Sequence, residues 1–245
     1  MKYKIMNNLT EEELQRLAEF KKMSIAQNID DHYLMVYLFA KKLNVEKAAE
    51  TLQNNIDLRS KLGIPFPLRK AQVNVDIVKK MYSFFIPDTR DANGRVIAYL
   101  YPSKMIPKQY DFVDCMKILF WFSDITVYED SIGHRNGMVV VEDLTKVSMK
   151  NFDSRLTDMM KGKSLENIFP GRIEAIYLIN QPWFLRFLIG FAKTFIKNKI
   201  VKRLKIVGKK EKMVEFVDPN HLLEEFGGKL NFDYHGWIDS LPADY

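Results

Sequence analysis

An α/β fold, with a helical N-terminal region ahead of a largely parallel sheet flanked by helices, is the class this sequence predicts, on three observations. The stretch before Gly63 carries helix signals and no strand pattern. Beyond it, short apolar runs recur at Val96–Tyr101, Met138–Val141, Ala175–Ile179 and Leu204–Val207. Helical segments near 110–127, 152–161 and 183–199 separate them, and strand, helix, strand in alternation implies parallel pairing.

The first helix is predicted to begin at Leu9-Thr10-Glu11-Glu12-Glu13-Leu14. Thr10 can cap, Glu13 can return the hydrogen bond, and Leu9 and Leu14 can staple across the start. A second helix is predicted from about Asp30 through Leu43, with Tyr33, Leu34, Tyr37 and Leu38 on one face. A third follows Asn44 as cap, runs through Ala48, Ala49, Leu52 and Ile56, and stops at Gly63. Ile64-Pro65-Phe66-Pro67 cannot continue a helix and marks the linker, which places the domain boundary near residue 70: 1–70 helical, 71–245 α/β. Val96–Tyr101, after the turn Asp91-Ala92-Asn93-Gly94, is apolar on both alternating faces, as a strand covered on both sides requires. Asp218-Pro219 opens a short helix that should end at Gly227-Gly228.

Composition bounds the function. With 245 residues, 47% hydrophobic and 28% charged, the chain is globular, without internal repeats or low-complexity tracts. Its start lacks the apolar core of a signal peptide, and Lys2 breaks the myristoylation pattern, so a cytoplasmic protein is expected. Cys115 alone permits neither an internal disulfide nor a cysteine-based zinc site, and its apolar neighbourhood suggests a buried structural thiol.

Catalytic signals are weak. The nucleophile elbow, the phosphate loop and the dinucleotide-binding glycine pattern are all absent. His32, His134, His221 and His235 lack metal-ligand spacing and read as surface or locally hydrogen-bonded residues, His134 in a turn before a strand. Glu142-Asp143 lies at a strand C-terminus, where α/β sheets often hold active sites. With no partner base, nucleophile or metal site in view, a loop or cap role fits better. No catalytic residue, cofactor or metal is expected.

The charge is uneven. Nine Lys and Arg residues lie between Lys193 and Lys212, with Glu211 the only acid among them; the rest of the chain holds 28 basic and 30 acidic side chains. The formal +6 is therefore a local patch. Such runs are usually solvated faces. Here, however, the block follows the nearly all-round apolar Trp183–Ala192, with Phe187, Phe191 and Phe195 on one stripe, and Lys193, Lys197, Lys199, Lys202 and Arg203 gather near its end. Grease joined to charge suggests peripheral contact with an anionic membrane. Aromatics flanked by Leu and Ile fit a greasy wall better than the exposed stacking platforms of single-strand nucleic-acid binders, so no nucleic-acid partner is expected. The run is too short to span a bilayer. The stripe could equally be plain core.

Phe169-Pro170-Gly171-Arg172-Ile173-Glu174-Ala175-Ile176-Tyr177-Leu178-Ile179-Asn180-Gln181-Pro182-Trp183 resembles the signature of the CRAL-TRIO lipid-binding family. Arg135-Asn136-Gly137, Phe195–Leu204, Gly208 and Leu222–Leu230 match at the family's spacing, and Leu43–Ala49 resembles its N-terminal helical domain. The resemblance covers nearly the whole chain. It implies a sheet floor roofed by helices, with one lipid between them and a mobile gate helix at about Trp183–Lys199. It also implies phosphoinositide headgroup binding at Arg172, Lys199 and Arg203, with Glu174 departing from the pattern of a second basic residue. Gly171, where the fungal phosphatidylinositol carrier has a glutamate, argues against phosphatidylinositol as internal cargo.

Together these readings predict a monomeric carrier of one retinoid, tocopherol or carotenoid-like molecule that docks reversibly on anionic membranes. Tyr99, Val139, Val141, Ile176 and Leu178, with gate residues Phe187, Phe191 and Phe195, are the expected cavity lining. The strand face is open, since in each case the neighbouring residue could point inward. A phospholipid carrier or sensor, and a scaffold for protein partners such as small GTPases, remain alternatives.

Overall fold

In a computed structural model of the chain, which describes residues 4–160, 163–192, 198–241 and 243, three helices come first: α1 (Glu11–Phe20), α2 (Asp31–Ala40) and α3 (Val45–Leu62). Thr10 and Glu13 form the expected capping box, the Thr10 hydroxyl accepting from the Glu13 amide at 3.2 Å and the Glu13 carboxylate from the Thr10 amide at 2.8 Å. Leu14, expected to staple to Leu9, is instead half-exposed. The Asn44 side chain caps α3, and Gly63 ends it with φ +64°, a conformation that suits glycine. Leu17, Phe20, Leu34, Leu38, Ala48 and Leu52 form a shared core, and α2 is buried along Leu34–Phe39 because it lies between its neighbours.

Beyond the linker come α4 (Val75–Met81) and a five-stranded sheet: β1 (Phe84–Phe85), β2 (Val96–Leu100), β3 (Met138–Asp143), β4 (Ile173–Ile179) and β5 (Leu204–Gly208), in that spatial order. β1 is antiparallel to β2, and the other neighbours are parallel. The connections carry α5 (Phe112–Asp124), α6 (Ser131–Asn136), α7 (Ser154–Met160), α8 (Leu185–Ala192) and α9 (Asn198–Val201), and α10 (Tyr234–Ser240) follows the sheet. The expected helix over 183–199 differs from the structure: Trp183 lies in a turn, and α8 and α9 flank 193–197, outside the described residues. After Asp218-Pro219 the chain makes two 3-10 turns, Pro219–His221 and Glu224–Phe226, rather than one helix.

The register sorts the strands into two faces. Ile97, Tyr99, Val139, Val141, Ala175 and Tyr177 enter the large core with Phe120, Trp121, Leu222 and Phe226. Ala98, Val140, Ile176 and Leu178 turn the other way with Leu185, Ile200 and Leu204.

Polar clamps tie α3 to the α/β region. Arg59, almost wholly buried, donates to Asp124 at 2.6 Å, to Asn55 at 2.7 Å and to the Pro65 carbonyl at 2.6 Å, while stacking over Phe66 and Phe120. Asp124 accepts in addition from the Leu68 amide. Asn54 and Asn55 donate to the carbonyls of Asn167 and Ile168 at 3.1 and 3.0 Å, so α3 grips the segment after α7.

Candidate functional site

On the second sheet face lies a cavity of about 320 Å³, within the size range of small-molecule sites. Leu100, Val140, Glu142, Ile176 and Leu178 form its floor, which the register makes continuous: Leu100 pairs with Glu142, Glu142 with Leu178, and Val140 with Ile176. Leu144, Val147, Phe152 and Leu165 close one side, and Leu185 and Ile189 of α8, with Ile200 and Leu204, close the other. Apolar lining makes the space costly to fill with water and favourable to fill with hydrocarbon.

Of the expected lining residues, Ile176 and Leu178 are here. Tyr99, Val139 and Val141 are not: they point into the opposite core, and the Tyr99 hydroxyl accepts from the Leu223 amide at 3.3 Å. Side chains alternate along a strand, so choosing the wrong parity moves every residue to the other face. Val140 and Leu100 hold the places expected of Val141 and Tyr99. A usable signal exists in β5, where charged, exposed Lys205 pairs with Tyr177 and apolar Ile206 with Leu178; carried through the register, it assigns the cavity to the Leu178 face.

The gate helix shows the same kind of displacement. Leu185 and Ile189, one turn apart, face the cavity, while Phe187 between them is 53% exposed and absent from the lining. The Phe191 side chain, Phe195, Lys193 and Lys197 lie outside the described residues.

Two carboxylates interrupt the lining. Burial alone pushes the Glu142 carboxyl up to about 7, and among the described residues it has no hydrogen-bond or ion-pair partner. Glu166 offers its main-chain carbonyl to the Lys41 ammonium from the N-terminal helices. Asp143, beside Glu142, has the loop role expected of the pair, accepting from Thr145 and Asn180. His134 sits in α6 rather than a turn, buried against Phe39 with Nε2 2.9 Å from the Thr126 carbonyl, and burial holds its pKa down at about 4.

Arg172 and Arg203 do converge, but on Glu174. Arg172 Nε donates to Glu174 Oε1 at 2.8 Å, and Arg203 Nη2 stands 3.6 Å from Oε2. Each arginine is anchored through another nitrogen to a carbonyl, of Arg135 and Ile173 respectively. Gly137, at φ +78°, lets the β3 entry pass directly against this group, since an added Cβ would stand 2.5 Å from the Arg172 carbonyl oxygen. Lys199 and Lys202 are exposed, as is Lys205. Trp183, in the turn before α8, is 94% exposed, and Ile206 of β5 is 59% exposed. Among the described residues no helix is long and apolar enough to cross a membrane, and no cluster of metal ligands occurs.

The CRAL/TRIO domain family matches residues 79–228. A CRAL-TRIO domain-containing protein of Dictyostelium discoideum is 42% identical over 99% of this chain and 96% of its own length. Clavesin-1 of Xenopus laevis is 27% identical over 86% of the chain, which spans 65% of that relative's length. The human alpha-tocopherol transfer protein-like protein is 23% identical over 84% of the chain and 60% of its own length. The crystal structure of Sfh5 matches with a TM-score of 0.53 at 15% identity, over 94% of this chain and 91% of that one, a likeness of fold. A five-stranded, mostly parallel sheet with a cavity on one face, together with a family match across more than half its length, makes this chain a member of the CRAL-TRIO family.

Proposed function

We propose that the chain carries one hydrophobic small molecule in the cavity over Val140, Ile176 and Leu178, and docks reversibly on anionic membranes to load and release it. The observation that carries this reading is the apolar cavity roofed by α8. Burying about 400 Å² of ligand surface at about 25 cal/mol/Å² offers on the order of 10 kcal/mol before association costs. Glu142 gives the cavity floor a polar point, which suits a cargo with a hydroxyl or carbonyl group, of the retinoid or tocopherol kind.

Docking is supported by the exposed Trp183 and Phe187 in and just before α8, and by the exposed Lys199 and Lys202 in and just after α9. Aromatic side chains suit the membrane interface, and each lysine near an anionic surface contributes about 1 kcal/mol, an attachment firm enough to dock and weak enough to leave. The test is transfer of a fluorescent lipid between donor and acceptor vesicles, measured beside equilibrium binding of the same lipid in solution. A carrier shows both activities, with transfer rising with anionic lipid and falling with salt. Transfer that is indifferent to vesicle charge would remove the docking half of the proposal, and no binding of any tested lipid would remove the cargo half.

A further inference from the structure

β5 ends the sheet, and among the described residues no strand pairs with its outer side. The Arg203 carbonyl turns to β4, accepting from the Ile176 amide at 3.0 Å. Backbone groups alternate in direction along a strand, so the amides and carbonyls of Leu204 and Ile206 face outward. The edge is open on both faces of the sheet. Ile206 is exposed on the cavity face, and Lys205 is exposed on the other, its ammonium 5.3 Å from the Tyr177 ring centre. Phe216, itself 41% exposed, meets the same ring at 5.2 Å. From Leu204 to Lys212 the chain carries four lysines and one acid, Glu211, and the 3-10 turn Lys210–Glu215 folds back beside β5.

We propose that this edge takes up an extended acidic segment of a partner protein as a sixth strand. Main-chain hydrogen bonds to Leu204 and Ile206 hold the segment, and side chains choose it: an acid beside Lys205 and an apolar residue beside Ile206, so acidic and apolar residues alternate along it. Other occupants fit less well. A second copy of β5 brings the same lysines and is repelled, and five residues are too few to bury the about 1,000 Å² that a stable dimer needs. A bilayer attracts lysines, but its hydrocarbon leaves a directed row of amides and carbonyls unpaired. Lysine on an exposed edge is a common guard against self-association, and the charge that turns away a like strand draws in an acidic one. Neither Lys205 nor Ile206 lines the cavity, so the proposal stands or falls apart from the carrier reading.

The probe is a fluorescein-labelled, end-blocked peptide of alternating Glu and Val, followed by fluorescence anisotropy against the full chain. Two peptides serve as controls: Lys alternating with Val, and Glu alternating with Pro, which keeps the charge but offers no row of amides. The wild-type chain should bind the Glu–Val peptide and neither control. Ile206→Pro removes one outward amide from an edge position where proline is tolerated, and should weaken binding by about fivefold, the net worth of a hydrogen bond. Lys205→Glu should weaken it several-fold and shift the preference to the Lys–Val peptide, a readout that survives if Ile206→Pro fails to fold. Thermal melting and uptake of a hydrophobic ligand show that each variant is folded. Equal binding of the Glu–Pro peptide overturns the proposal, since the lysines would then read charge alone. So does the absence of Glu–Val binding at millimolar concentration, whether Ile206→Pro instead weakens attachment to phosphatidylcholine vesicles doped with phosphatidylserine, which makes the edge a membrane contact, or abolishes a dimer in analytical ultracentrifugation, which makes it a contact between copies.

Discussion

Glu142 shows how a single side chain can report on the cavity. Its carboxyl stands at about 4.5 in the unfolded chain and about 7 in the fold, because burial disfavours the charged form. For an acid shifted upward, the stabilising contribution is fully present below pH 4.5 and is lost as pH rises through 7. At about 1.4 kcal/mol per pH unit, the loss is at most about 3 kcal/mol. Chemical denaturation across this window should therefore show a decline that Glu142→Gln flattens; an identical pH profile in the variant would show that the carboxyl is solvated. Arg59 presents the opposite case, a buried charge that is well paired. Arg59→Met strands Asp124 and should cost about 3–5 kcal/mol in urea unfolding. A loss below 1 kcal/mol would mean that water reaches the carboxylate.

At the scale of elements, local signals were readable where one residue type has one job: Thr10 with Glu13, Asn44 and Gly63 mark helix ends through hydrogen bonds and backbone angles that few residues supply. Strand positions in β2 to β5 were equally legible as apolar runs. Which face they turn to the cavity was not, because a sheet covered on both sides is apolar at both parities, and only the register from Lys205 inward breaks the tie. The two-residue β1 and α10 left no pattern long enough to read. On α8 the aromatic stripe drew attention to Phe187, although Leu185 and Ile189 form the inner face. These assignments separate in mutants. Val140→Trp should fill the cavity and abolish ligand uptake with the fold retained, whereas Val141→Trp overpacks the opposite core and should lower stability by about 1–3 kcal/mol. Equal effects on uptake, with equal stability, would show that the faces are misassigned. Ile189→Asp should likewise impair uptake more than Phe187→Asp, since only the former buries an unpaired carboxylate; titration of a fluorescent retinoid or tocopherol analogue distinguishes them.

For the whole molecule, three regions divide the work. The N-terminal helices brace the cavity wall through Asn54 and Asn55, the sheet supplies its floor, and α8 covers it, with Lys199 and Lys202 exposed in and just after α9. Converting Lys199 and Lys202 to Glu should therefore reduce vesicle binding and transfer by well over tenfold, since each reversal removes and inverts about 1 kcal/mol, while affinity in solution stays nearly unchanged. A matching fall in solution affinity would place those lysines in the cargo site. The central claim, that the cavity holds one hydrophobic molecule, is tested most directly by native mass spectrometry of the protein loaded from a mixed panel of retinoids, tocopherols, carotenoids, sterols and phospholipids. The account predicts a wild-type species carrying one molecule per chain, absent from folded Val140→Trp. Wild-type protein that stays empty across the panel, or Val140→Trp that loads as the wild type does, would contradict it.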